Sequence, residues 1–176
     1  MLAHISGLPV QHFIAACNAN DVVPSFLQDG EYKPKKAVAT ISNAMDVGNP
    51  SNFVRILQLF HHQLGDLRKV LSGYSIDDNE TREVIKEVYM QYRYLPDPHG
   101  AVGYLALQRY LQQHPGAKGI LLETAHPVKF YDVVEPVIHQ PVPVPESIQA
   151  QLQLTKKSQL IQPDYAVLKQ VLLDSF

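Results

Sequence analysis

The stretch Val10-Gln11-His12-Phe13-Ile14-Ala15-Ala16-Cys17, closed by Asn18-Ala19-Asn20-Asp21, decides the fold. Its apolar run is short, is bounded by Pro9 and Asn18, and lacks strict alternation. That pattern suits a strand covered on both faces, as in a parallel sheet. A polar loop over Asn18 to Pro24 follows, and then a short helix over Val22 to Leu27. The same order recurs. Ala37-Val38-Ala39-Thr40-Ile41 is β-branched and alternating and predicts a second strand. It runs into the polar segment 42–52, after which Ser51 or Asn52 caps a helix with Phe53, Ile56, Leu57 and Phe60 on one face. Leu64 to Leu71 continue in helical register. Gly119-Ile120-Leu121-Leu122-Glu123-Thr124 predicts a third buried strand, whose exit Thr124-Ala125-His126-Pro127 leads into a helix through Phe130 and Val134. Strand, loop and helix in repeated order predict an α/β fold, a mainly parallel sheet with flanking helices.

The other elements fit around that frame. Leu2, Ile5 and Gly7, followed by Pro9, read as the end of a helix. Asp78 or Asn79 opens an amphipathic helix over Glu80 to Tyr92, with Val84, Val88 and Tyr92 along one side. Asp97-Pro98-His99-Gly100 is a turn and helix start, and Ala101 to Gln113 continue it. Pro136 to Pro145 hold four prolines in ten residues and read as a semi-rigid linker. Asp164 to Phe176 form a last helix. The expected division is therefore residues 1–135 as the α/β part, and 136–176 as linker and C-terminal helical segment.

Fifteen basic residues against seventeen acidic ones leave no electrostatic footprint for nucleic acid. The longest apolar runs fall far short of a bilayer span, and the N-terminus lacks the pattern of a secretory signal. The cytoplasm is the default expectation. The single cysteine, Cys17, cannot close an intramolecular disulfide and reads as a buried thiol. His61 and His62 are adjacent, so on a helix they point about 100° apart and cannot share one ion. With no His-x3-His pair and no cysteine cluster, no metal site is expected.

In open α/β sheets, ligands bind beyond the carboxyl ends of strands. Three polar loops stand there. Ser42, Asn43 and Asp46 are short polar groups suited to binding a substrate's carboxylate, phosphate or bound water. Asn18, Asn20 and Asp21 are candidates of the same kind. For both groups a self-bonded turn is the competing reading, and Asp21 also suits a helix cap. Asp97 and His99 admit an acid/base pair, although a turn opened by Asp with Pro next explains them more cheaply.

The segment Ile41-Ser42-Asn43-Ala44-Met45-Asp46-Val47-Gly48-Asn49-Pro50-Ser51-Asn52-Phe53 resembles the signature of the threonine synthases. Asn18-Ala19-Asn20-Asp21, Asp97-Pro98-His99, Ala101-Val102-Gly103, Thr124-Ala125-His126-Pro127 with Lys129-Phe130, and Pro163-Asp164-Tyr165 are similar to further blocks of that family in the right order. Gly100 departs from the pattern, which has Thr or Ser there. The resemblance is to the C-terminal part of a fold type II pyridoxal-phosphate enzyme, with residues 1–135 belonging to the cofactor-binding domain. It implies conversion of O-phosphohomoserine and water to threonine and phosphate, with pyridoxal 5'-phosphate as electron sink. It also implies that Thr124 faces the pyridine nitrogen of the cofactor. Against this stands the plain reading of Thr124 as a strand-ending helix cap. His126 either orients that loop or is an ordinary helix residue, and Lys129 reads as a solvated lysine.

The Schiff-base lysine and the glycine- and asparagine-rich phosphate loop of the family are not found in this sequence, so the chain alone is expected to be inactive. Removing the rest of such an enzyme would uncover apolar surface, and self-association is expected. A non-catalytic relative that binds a ligand or partner is the competing reading. The segment 42–53 argues against another type II enzyme such as a threonine dehydratase.

Overall fold

A computed structural model describes residues Met1 to Asp174. The chain divides into two compact units, Met1–Val142 and Pro143–Phe176. The first unit ends at Val142, where residue 135 was the expected boundary. The reason is local: Pro136 is accommodated inside a helix, Tyr131–Ile138, so the proline-rich stretch does not begin there as a linker.

The first unit opens with helix α1 (Leu2–Ile5), which ends where Gly7 takes a positive φ of 90°. Strand β1 (Phe13–Cys17) follows, then α2 (Val22–Asp29), which stops at Gly30 in the left-handed region. Helices α3 (Phe53–Leu59) and α4 (Leu64–Val70) lead directly into strand β2 (Leu71–Ser75). The two strands pair in parallel, Phe13 opposite Leu71 through Cys17 opposite Ser75. Helix α5 (Asp78–Tyr92) is opened by a capping box in which Asp77 and Glu80 satisfy each other's backbone N–H groups. Helix α6 (Pro98–Gln113) is capped by Asp97, and α7 (Tyr131–Ile138) closes the set.

Two apolar layers hold these elements. Phe26, Leu27, Phe53, Leu67 and Leu71 are buried together, with Phe13, Ile56 and Leu64 packed against them. This layer lies where α2 and α4 meet the sheet. On α5, Thr81, Val84, Ile85 and Val88 are buried, the spacing of one helical face, and α5 packs against α6 and α7. Ile76, Ala101, Ala106 and Val134 are fully buried there.

The parallel sheet and its helices agree with the expected fold class, but the strands differ. Residues 37–41 are not a ladder strand. Asn20 takes a strand's part there, its Oδ1 accepting from the Val38 N–H at 2.8 Å and its Nδ2 donating to the Val38 carbonyl at 3.0 Å. Residues 119–124 are extended in side-chain alternation but are not buried on both faces. Gly119, Leu121 and Glu123 lie against Leu107, Gly103 and Gly100 of α6, while Ile120 and Leu122 are 88% and 78% exposed. Conversely, β2 takes in Leu71, expected as helix, and residues 72–75, which had no expectation. Gly73 allows it: a Cβ there would meet Pro24 of α2 at 2.7 Å.

The second unit holds α8 (Glu146–Leu152) and α9 (Tyr165–Asp174), neither with a buried residue. Of the expected last helix, Ser175 and Phe176 lie outside the described residues. No helix among the described residues is long and apolar enough to cross a membrane.

Candidate functional site

The carboxyl end of β1 opens into a polar knot. Asn18, buried, donates from Nδ2 toward Thr40 Oγ1 (2.9 Å), Ser42 Oγ (2.9 Å) and Asp46 Oδ1 (3.1 Å). Its Oδ1 accepts from the backbone and side chain of Asn20 at 2.9 and 3.0 Å. Asp46 collects the remaining donors: Asn20 Nδ2 at 3.1 Å, Thr40 Oγ1 at 2.7 Å and the Thr40 N–H at 3.1 Å. Short polar side chains thereby tie the loop over 37–46 to the strand end.

A cleft of about 200 Å³ lies on this knot, walled by Asn18, Asn20, Ser42, Cys17, His99 and Val102 among others. Burial, with the Asp21 charge adding to it, pushes the Cys17 thiol up to about 11. The wall is therefore a neutral thiol beside amides, a hydroxyl and an imidazole. These groups edge a cleft whose lining is otherwise mostly apolar, and the two amides are already engaged in the knot.

The sequence-predicted residues distribute unevenly around the cleft. Asn18, Asn20 and Ser42 line it. Asp46 is half-buried and committed to the knot beneath it. Asn43 is exposed at the start of a single 3₁₀ turn, Asn43–Met45. Asp21 faces a second cleft, of about 450 Å³, between α2 and β2, where it pairs with Lys35. Burial there works to raise the Asp21 carboxyl, but hydrogen bonds from Lys35 and Ser75 hold it below its ordinary value. In that second cleft Arg68 is already spent on the carbonyls of Leu27 and Gln28 (2.6 and 2.8 Å). Thr124 is exposed and lines neither cleft.

The start of α6 contributes a second polar group. Asp97 is fully buried, and its Oδ1 accepts from the His99 N–H at 2.9 Å and from His99 Nδ1 at 2.6 Å. The His99 ring rests on Phe130, centroids 4.8 Å apart. Glu123 reaches the same point, its Oε1 accepting from the Asp97 N–H at 3.3 Å. Burial, and then the neighbouring Asp97 carboxyl, push Glu123 up to about 7, while His99 and Glu123 overcome burial to keep Asp97 below its ordinary value. Of the two carboxyls, Glu123 is thus the one that gains a proton first as pH falls, and Asp97 the one that ionises more readily.

Sequence reasoning passed over Thr40 and Glu123. Both sat in presumed strands, where they read as filler. The available signal was that each is a polar residue near the end of a run that enters a polar loop. His99 was set aside as a turn residue; the structure makes it both a helix-start residue and part of the cleft wall.

The family model described as threonine synthase, C-terminal, matches residues 100–172. Threonine synthase of Buchnera aphidicola subsp. Schizaphis graminum is 41% identical over 174 residues, covering 99% of this chain and 40% of the relative. That of Escherichia coli K12 is 39% identical over 175 residues, with 99% and 40% covered. The crystal structure of the Escherichia coli threonine synthase superposes with a TM-score of 0.89 at 38% identity, covering 99% of this chain and 40% of that one. A pyridoxal-phosphate-bound threonine synthase from Brucella melitensis gives 0.84 at 25% identity, covering 97% and 41%. The chain spans about two fifths of the length of these relatives. Sequence and fold agree along almost the whole of it, and the chain belongs to the threonine synthase family, whose C-terminal part it matches.

Proposed function

We propose that this chain supplies the C-terminal part of a pyridoxal-phosphate-dependent threonine synthase, the lyase that converts O-phosphohomoserine and water to threonine and phosphate. The observation that carries this reading is the polar knot and cleft at the carboxyl end of β1, in a chain of this family. A fold type II body places its ligand at that end of its sheet. The cleft is small and mostly apolar, with Asn18, Asn20 and Ser42 as its polar edge, a wall that suits a ligand of amino-acid size.

The fit to the cofactor turns on Thr124. A residue that serves the pyridine nitrogen needs an uncommitted hydroxyl, and Thr124 is exposed and forms no hydrogen bond among the described residues. Its neighbour Glu123 is anchored to the start of α6, so the segment that presents the hydroxyl has a fixed base. Bound cofactor would act as the electron sink for the reaction. A neutral hydroxyl at its ring nitrogen, unlike a carboxylate, would not enforce protonation there. Asn18, Asn20 and Ser42 would shape the polar edge of the ligand's cleft, and Asp46 would hold those side chains rather than touch the ligand. The exposed Ile120 and Leu122 are consistent with a surface that the rest of such an enzyme covers.

The sequence contains no counterpart of the family's Schiff-base lysine or phosphate loop, so the chain alone does not turn over substrate in this reading. The test is phosphate release from O-phosphohomoserine with added pyridoxal phosphate. It is run on this chain alone, and on this chain fused behind the preceding portion of the Escherichia coli enzyme. No release by the chain alone and release by the fusion are expected. Turnover by the chain alone refutes the inactivity, and a folded, cofactor-loaded fusion without turnover refutes the function.

A further inference from the structure

Among the described residues, two buried side-chain polar atoms have no hydrogen-bond partner, Asp97 Oδ2 and His99 Nε2. They belong to one cluster, and the cluster has a third member. The Glu123 carboxyl lies where a side chain at position 100 would stand: a Cβ added to Gly100 would collide with both of its oxygens. Gly100 is not needed for its backbone angles, since it lies within α6 and has no positive φ. It is needed because Glu123 fills its place. The same carboxyl accepts from the Asp97 N–H, and it touches the Asp97 carboxyl itself. Two neighbouring carboxyl groups, one of them fully buried, resist ionising together, and a proton held between them relieves the repulsion.

The next link follows from Asp97 Oδ1. It accepts from His99 Nδ1, so the ring hydrogen sits on that nitrogen and the neutral ring keeps its lone pair on Nε2. His99 lines the cleft with Asn18 and Ser42. The other groups facing the cluster are Tyr94, whose hydroxyl is raised by burial and by the Glu123 and Asp97 charges, and the apolar ring of Phe130.

We propose that Glu123 is a positioning residue: its carboxyl occupies the side-chain space of Gly100, shares a proton with Asp97, and through Asp97 fixes the tautomer and orientation of His99 at the cleft wall. The role rests on the functional reading only in treating the cleft as the ligand site. The coupling itself is a property of the folded chain without substrate, so its failure and the failure of that reading are separately visible.

The experiment is a carboxyl and imidazole NMR titration of the full chain, with thermal unfolding of Gly100→Ser, Glu123→Ala, the double variant and Glu123→Gln. Glu123 is expected to titrate near 7, with the His99 ring resonances moving at the same midpoint; that component disappears in Glu123→Gln, which donates at every pH. Each of Gly100→Ser and Glu123→Ala lowers the unfolding midpoint by about 3 °C, and the double variant recovers most of that loss because the serine enters vacated space. Glu123 titrating in the ordinary glutamate range, His99 resonances indifferent to Glu123→Gln, or additive losses in the double variant each overturn the proposal. If Gly100→Ser does not fold, the titration and Glu123→Gln decide alone.

Discussion

Replacing Asp46 by alanine tests whether the polar knot or the apolar layer holds the loop over 37–46 to the sheet. Asp46 accepts from Asn18 Nδ2, Asn20 Nδ2, Thr40 Oγ1 and the Thr40 N–H. The two amides keep other acceptors when Asp46 is lost: Ser42 and Thr40 for Asn18, Asn18 and the Val38 carbonyl for Asn20. The Thr40 hydroxyl still accepts from Asn18 but, as a donor, keeps only Ser42 Oγ at 3.2 Å, and among the described residues the Thr40 N–H retains nothing. The loss is therefore about two hydrogen bonds to a charged group, roughly 3 kcal/mol at 1.5 kcal/mol each. With a urea slope of about 2 kcal/mol per molar, the unfolding midpoint falls by about 1.5 M. Asp46→Asn keeps Oδ1 and turns an amide toward the Thr40 N–H, so about half that loss is expected. Combining Asp46→Ala with Asn18→Ala gives less than the sum of the single losses, since both belong to one network. A shift below about 0.3 M for Asp46→Ala, or strict additivity, would refute the reasoning and return the loop to apolar packing.

Asp97→Ala removes the cap of α6 and strands the His99 Nδ1–H, for a loss of about 3 kcal/mol in urea unfolding; Asp97→Asn, which keeps an acceptor, loses about 1 kcal/mol. The Cys17 thiol, pushed up to about 11, reacts with iodoacetamide at pH 7.5 about 300-fold more slowly than a free cysteine, and a rate near the free one would contradict its burial. Glu123 holds its proton more tightly folded than unfolded, so stability is highest below its ordinary value near 4.5 and falls as pH rises through about 7. Because the residue is partly solvated the fall is no more than about 1 kcal/mol, and Glu123→Gln abolishes it. If the exposed apolar face of Ile120 and Leu122 mediates the expected self-association, light scattering after gel filtration is expected to show a species larger than monomer, reduced by Ile120→Lys with Leu122→Lys; a monodisperse monomer refutes it.

The candidate site was legible where polar side chains gather at a strand end. Asn18, Asn20 and Ser42 stood out because short polar residues directly after an apolar run have a sheet's ligand-binding end to serve. What the sequence could not separate was touching the cleft from holding up those that do. Ser42 and Asp46 are four residues apart and equally polar, yet one lines the cleft and the other accepts hydrogen bonds beneath it. That division depends on where Thr40 and Asn20 direct their donors, which is tertiary information. Glu123 was hidden for a related reason. Its meaning comes from the absence of a side chain at Gly100, which is remote in sequence and expressed only once the two segments lie together.

The same point explains the strands. Residues 119–124 were expected as a buried strand, and only alternate side chains of the segment face a common surface. That surface is helix α6, whose residues Gly100, Gly103 and Leu107 follow the spacing of a helix while meeting a partner that repeats every two residues. Alternation carries no information about hydrogen bonding, so it cannot tell a ladder strand from an extended segment laid on a helix. Residues 37–41 make the complementary case. There the Val38 backbone groups are satisfied by one side chain, Asn20, which imitates the donor and acceptor of a neighbouring strand. An amide side chain in that place both ends the sheet and begins the cleft, because the atoms that close off the ladder belong to its polar edge. In this chain, therefore, the expected second strand was lost to the residues that make the candidate site.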